Sequence, residues 1–241
     1  MTQRRAPHPR APVVILFDVD NTLLDNDRVE RDLNRFLEQQ FGADCRDRYF
    51  AIFERLRGEL GYADYLGALQ RFRVEHRRDP DVLALTYFLI EYPFADLLYP
   101  RALEVVQHAQ GFGLPVVLSD GDVVFQPWKV KRSGLLEAFA GRALIYIHKE
   151  TMLDEVERRY PADHYVLVDD KVRILSAIKG AWGSRVTTVF PRQGHYAADR
   201  ETVRRYPTPD VTLEHVADLL TYDPAGLIAA ASPRKTTEVP R

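Results

Sequence analysis

Cysteine is almost absent: Cys45 is the only one in 241 residues. A lone thiol cannot close an internal disulfide, and it cannot build a cysteine-based metal centre. Excess charge is missing too. The 33 Lys and Arg face 35 Asp and Glu, a formal net charge of -2, which gives no footing for a nucleic-acid or membrane-surface partner. No apolar run approaches the roughly 20 residues that cross a bilayer. The first dozen residues, basic and rich in proline, lack the apolar stretch of a secretory signal. There is no internal repeat. What remains is the composition of a soluble, cytoplasmic globular protein, 46% hydrophobic and 28% charged, long enough for one sizeable core and a smaller inserted domain.

The most informative stretch starts at Val13. Val13-Val14-Ile15-Leu16-Phe17 is short, apolar and mostly β-branched, as suits a strand buried on both faces. Asp18-Val19-Asp20-Asn21-Thr22-Leu23-Leu24-Asp25 follows. An extended backbone would point Asp18 and Asp20 the same way. Two carboxylates at the end of a buried strand call for a cation, either a metal ion or a charge on a substrate.

Beyond Asp25 the apolar period changes to that of helices. Val29, Leu33, Phe36, Leu37 and Phe41 share one face. Further helical segments carry Tyr49 to Leu60, Tyr65 to Phe72, and Val82 to Leu89 behind Pro80. With no strand between them, residues 28–94 read as a helical domain inserted after the first strand. Residues 12–27 and 95–222 then form an α/β domain, and 1–11 and 223–241 flexible tails. Strands at 114–118, 143–147, 165–168 and 185–190 alternate with helices, among them 124–136 and a last one at 212–220. Such alternation predicts a doubly wound, Rossmann-like parallel sheet.

Ligands of such sheets bind beyond the carboxyl ends of the strands. Four strands stop at polar groups: Asp18/Asp20/Thr22, Ser119/Asp120/Gly121, Lys149 and Asp169/Asp170. Chance would scatter these over both ends, so one site drawing on all four strands is expected. Hard oxygen ligands with incomplete coordination suit magnesium shared with a phosphate. An ammonium and a hydroxyl suit an anionic group in transfer. One carboxylate can attack phosphorus while a second moves the proton. Lys129 and Lys131 read as a solvated helix face, Lys171 as a surface residue or counter-charge. His148 and His195 read as structural or exposed, and Trp128 and Trp182 as packing residues.

The Asp-x-Asp-x-Thr stretch, with its apolar lead-in, resembles the first motif of the haloacid dehalogenase-like hydrolases. The resemblance implies a magnesium-dependent phosphatase acting on a small phosphorylated metabolite, with 28–94 as its cap. Asp18 would be the nucleophile and Asp20 the general acid/base, its backbone carbonyl on the metal. Thr22 would support the loop. Ser119, with Asp120 and Gly121, would bind the phosphoryl group, and Lys149 would offset the charge of nucleophile and phosphate. Asp169 and Asp170 would complete the metal site. Two departures stand out: Asp120 where the family commonly has Asn, and Glu150 where proline often follows the lysine. Phosphomutase activity shares every core motif and stays open as an alternative, with a non-catalytic binding or regulatory protein behind it. Dehalogenating members use the same nucleophile without a metal and lack the second aspartate. A monomer or homodimer is expected, and Tyr62, Tyr65 and Arg71 are candidate substrate contacts in the cap.

Overall fold

Alternation along the first strand decides how the molecule is layered. In β1 (Ala11–Phe17) the side chains of Val13, Ile15 and Phe17 join one apolar cluster, while Val14 and Leu16 join another on the opposite face. The strand is therefore covered on both sides, as its uninterrupted apolar sequence demands. The computed structural model describes residues 7–76 and 80–231. After β1 come helices α1 (Asn26–Phe41), α2 (Ala43–Leu60), α3 (Tyr65–Glu75), α4 (Val82–Glu91) and α5 (Ala102–Gln110). Then follow β2 (Leu114–Asp120), α6 (Phe125–Arg132), α7 (Leu135–Ala138), β3 (Ala143–Tyr146), α8 (Leu153–Arg159), β4 (Ala162–Val168) and α9 (Val172–Trp182). The described chain closes with β5 (Val186–Pro191), α10 (Gly194–Ala198), α11 (Arg200–Arg204), β6 (Val211–Leu213) and α12 (Pro224–Ala230). The six strands form one parallel sheet in the order β3-β2-β1-β4-β5-β6. This is the expected Rossmann-like α/β architecture.

The helices between β1 and α5 do not make a core of their own. Leu33, Leu37, Tyr49, Phe72 and Leu85 belong to the same apolar cluster as Val13, Ile15 and Phe17. Aromatic edges carry it across: Phe125 of α6 meets Tyr65 at 5.4 Å and Phe94 at 5.7 Å between ring centroids. The chain leaves for these helices and comes back at one place. Leu24 pairs antiparallel with Leu98, the Asp25 amide donates to the Leu97 carbonyl, and the Tyr99 amide donates to the Leu23 carbonyl. Asp25 caps α1 by accepting from the Arg28 amide at 3.0 Å.

Four expectations need correction. The helix expected at 124–136 breaks at Gly134, whose φ of 84° separates α6 from α7. The segment expected as a helix from 212 to 220 begins instead as an edge strand: Val211 and Leu213 are buried with Thr212 exposed between them, a period of two too brief to stand out in sequence. A 3₁₀ turn at Val216–Thr221 follows. The tail expected from 223 is anchored through Ala231. Asp223 caps α12 at the Gly226 amide with Pro224 in the first turn, and Leu227 is buried. At the other end, the part of the 1–11 tail that is described is tied down as well, with the His8 amide on the Arg159 carbonyl and Arg10 on Asp163. The rest of both tails lies outside the described residues.

Candidate active site

In the sheet β1 runs between β2 and β4, so successive connections leave it in opposite directions. A crevice opens beyond the carboxyl ends of the strands at such a reversal. Asp18 follows β1, Asp169 and Asp170 follow β4, Ser119 and Asp120 end β2, and Lys149 lies just past β3. The topology thus brings Asp18, Ser119, Asp120, Lys149, Asp169 and Asp170 to one end of the sheet.

Lys149 is the hub. It is fully buried, with Nζ 2.6 Å from Asp18 Oδ1, 2.6 Å from Asp169 Oδ2, and donating to the Leu118 carbonyl at 3.2 Å. Burial works against its charge, but Asp169, Asp18 and Asp120 outweigh burial and hold its pKa above that of an ordinary lysine. Burial, with the negative charge of Asp18, pushes Asp169 up to about 6 against the pull of Lys149. Asp170 is pushed up further by its own burial, with Lys171 opposing. Both Asp170 oxygens are buried without a hydrogen-bond partner. Oxygens of Asp18, Asp169 and Asp170 lie within 4.8 Å of one another. Three buried carboxylates face only two ammonium groups, Lys149 in their midst and Lys171 at the side, and hard oxygen donors so arranged fit a divalent cation such as magnesium. Thr22 ties two loops together here, its hydroxyl donating to Asp18 Oδ2 at 3.4 Å and accepting from the Asp170 amide at 3.1 Å.

Asp20 does not share that cluster through its side chain. β1 ends at Phe17, and Asp20 already belongs to the turn closed by the Asp20–Leu24 bridge. Its carboxylate accepts from Lys129 Nζ at 2.7 Å and from Gln126 Nε2 at 3.2 Å. Lys129 also donates to Asn26 at 2.8 Å, and Gln126 to the Ser119 hydroxyl at 3.0 Å. Lys129 is therefore not part of a solvated face: it is buried, whereas Lys131, two positions on, is exposed. Lys171 is a partly buried counter-charge beside Asp170. Asp120 turns away from an incoming anion, with Oδ1 accepting from the Lys149 amide at 2.7 Å. It thereby steadies the left-handed residue His148 (φ 59°) that aims Lys149 inward. Gly121 is required for packing, since a Cβ there would lie 2.6 Å from that of Gln126. His148 is exposed, and His195 pairs with Asp27 at 2.6 Å. The two tryptophans pack, Trp128 donating to the Ile90 carbonyl and Trp182 stacking on Tyr165.

A cavity of about 190 Å³ lies beside this cluster and reaches Asp20, Asp120 and Lys171. The sheet side contributes Asp20, Asp120, Lys171, Arg173 and Tyr196, and the helices contribute Arg57, Tyr62 and Tyr65. Arg71 is exposed and outside its lining. Gln126 escapes the sequence reading, which sets Lys129 on a solvated face, while Asn26, Arg57 and Tyr196 escape it altogether. The first two carried a signal: with Phe125 and Val130 they make an i, i+1, i+4, i+5 face of α6, all of it buried.

The haloacid dehalogenase-like hydrolase model matches residues 13–182, from β1 to the end of α9. The chain belongs to that family. A haloacid dehalogenase-like hydrolase from Burkholderia xenovorans LB400 is 58% identical and superposes with a TM-score of 0.84, over 89% of this chain and 100% of that one. More distant family folds include the HAD-hydrolase YfnB of Bacillus subtilis bound to magnesium, 17% identical over 88% of this chain and 98% of that one, TM-score 0.57. The L-2-haloacid dehalogenase of Xanthobacter autotrophicus with chloropropionic acid covalently bound is 18% identical, TM-score 0.56, over 86% and 96% of the two chains. No curated protein sequence matches this member of the haloacid dehalogenase-like hydrolases.

Proposed function

We propose that this hydrolase is a magnesium-dependent phosphatase of small phosphorylated metabolites. The observation that carries this reading is Asp170: a buried carboxylate without a partner on either oxygen, beside Asp18 and Asp169. Metal-free dehalogenation has no use for so costly a group. Asp18, Asp169 and Asp170, with the backbone carbonyl of Asp20, would hold the magnesium ion, which supplies charge compensation for the transferring phosphoryl group.

The residues divide the chemistry. Asp18 attacks phosphorus and forms an aspartyl-phosphate as the ester oxygen departs. Asp20, held by Lys129 and Gln126, gives that oxygen its proton and then takes one from the water that hydrolyses the intermediate. Lys149 offsets the charge gathered on Asp18 and the phosphoryl oxygens, and Ser119 donates to one of them. The helices α1–α4 act as the cap that excludes bulk water.

The test is phosphate release from an aryl phosphate by wild type and Asp18→Asn, with magnesium or with chelator, beside chloride release from 2-chloropropionate. Magnesium-dependent phosphate release, lost in Asp18→Asn, supports the reading. Metal-independent chloride release without phosphate release overturns it.

A further inference from the structure

Between the helices and the loop after β5, the cavity wall is built from Arg57, Tyr196 and Lys171. Arg57 reaches in from α2 and donates through one terminal nitrogen to the Tyr196 hydroxyl. Lys171 Nζ stands 5.0 Å from the centre of the same ring. The loop after β5 and the short helix α10 that carries Tyr196 are fixed to the start of α1, because both the amide and the imidazole of His195 bind Asp27, at 2.9 and 2.6 Å. Gly194 adopts a φ of 71° to let that loop pass Asn21.

Of the other charges lining the cavity, Asp20, Asp120 and Arg173 have partners elsewhere, and Glu30 acts on Arg57 through its charge. Asp20 is met by Lys129 from α6, Asp120 holds the Lys149 amide, and Arg173 is paired with Glu150 at 2.5 Å. Arg57 spends one donor on a neutral phenol and another on Glu54 at 3.3 Å, an exposed pair of the weak kind. A guanidinium has five donors in a planar fork, which matches a carboxylate. Glu30 also faces the cavity and its charge reaches Arg57, so an acid bound there competes with Glu30 for the guanidinium and gains most on the flank nearer Lys171. The cavity is below the roughly 300 Å³ at which sites for drug-sized ligands begin, so a ligand held between Asp20 and Arg57 within it is short. The larger cavity of about 700 Å³ that Arg57 also lines runs along α1 and away from Asp20.

We propose that Arg57, braced by Tyr196 and flanked by Lys171, binds a carboxylate on the substrate, which makes the substrate a short phosphorylated acid. This rests on the phosphatase reading for the other end of the ligand. Binding tests it apart from turnover. Phosphonocarboxylates with one, two or three methylenes between the groups are titrated calorimetrically into the magnesium-loaded protein. Alkyl phosphonates and aminoalkyl phosphonates of matched length serve as references.

At one spacer length the carboxylate should tighten binding about tenfold or more, the effect of a charge-assisted pair. Arg57→Gln should bring that ratio to within about threefold of one, and Arg57→Lys should restore part of it. Tyr196→Phe should give an intermediate ratio. Equal affinity of carboxylate and alkyl ligands at all three lengths, or tighter binding of the amines, overturns the proposal. An unchanged ratio in a folded Arg57→Gln protein does the same. Carboxylate preference with no phosphate release from any ester would overturn the phosphatase reading and leave the acid subsite standing.

Discussion

Two regions of this molecule bury side chains of opposite character. Around Phe72 in α3 the neighbours are rings: Phe41 and Tyr49 meet it edge-on at 6.2 and 5.9 Å, and His76 stacks on it at 4.0 Å. Around Lys149, an equally buried side chain, Asp18 and Asp169 share one ammonium, and Asp170 has no hydrogen bond to its side chain and only the charge of Lys171 nearby. The first region gains from every group it removes from water. The second is held together at a cost, which a divalent cation would remove. Packing stabilises one independently of solution conditions. The other is stable to the degree that its missing charge is supplied.

That contrast can be broken most forcefully at Phe72. Phe72→Ala should lose about 3–5 kcal/mol, read by urea denaturation, with the same loss in magnesium and in chelator. Lys149→Met should cost about 3 kcal/mol or more in chelator, since it strands buried carboxylates. Here magnesium should recover much of the loss, and a magnesium-independent deficit would erase the distinction drawn between the two regions.

A pH series sharpens it further. The folded pKa of Asp169 is raised to about 6 by burial, above its unfolded value near 4. Its protonated form is therefore favoured by folding, and its contribution is present below about pH 4 and lost as pH rises to about 6. Without metal, wild type should lose on the order of 2 kcal/mol relative to Asp169→Asn across that window. The same series at Phe72→Ala should run parallel to wild type.

The smallest effect lies at the far edge of the sheet. The Thr187 hydroxyl donates to the Leu227 carbonyl at 2.7 Å and accepts from His164 Nε2 at 2.9 Å, fastening α12 to β4 and β5. Thr187→Val should cost about 1 kcal/mol. Hydrogen exchange should show the release confined to α12.

Both regions were legible to different depths. The apolar core of the inserted helices could be read from period alone, because burial on a helix repeats every three to four residues. The strand-end groups could be read because parallel strands deliver their last residues to one edge. Lys129 could not be reached by that rule. It approaches the site from the side of α6, and only its place on the Phe125–Val130 face separates it from Lys131. Arg57 and Tyr196 lie 139 positions apart, and neither stands in a local pattern. β6 was lost to its three-residue length, while α12 was announced by Asp223-Pro224 and overlooked because its apolar face is a single leucine.

The pairing of Leu24 with Leu98 makes everything between them a side branch on a single stalk. The bonds run between the neighbours of Leu24 and Leu98, and the two members of such a non-hydrogen-bonded antiparallel pair stand about 4.5 Å apart, a gap that a hairpin of two to five residues spans. The branch is thus a cassette. It can be exchanged only for a graft that rejoins the apolar cluster of Val13, Ile15 and Phe17, covers Phe125 and brings an arginine to stand where Arg57 stands.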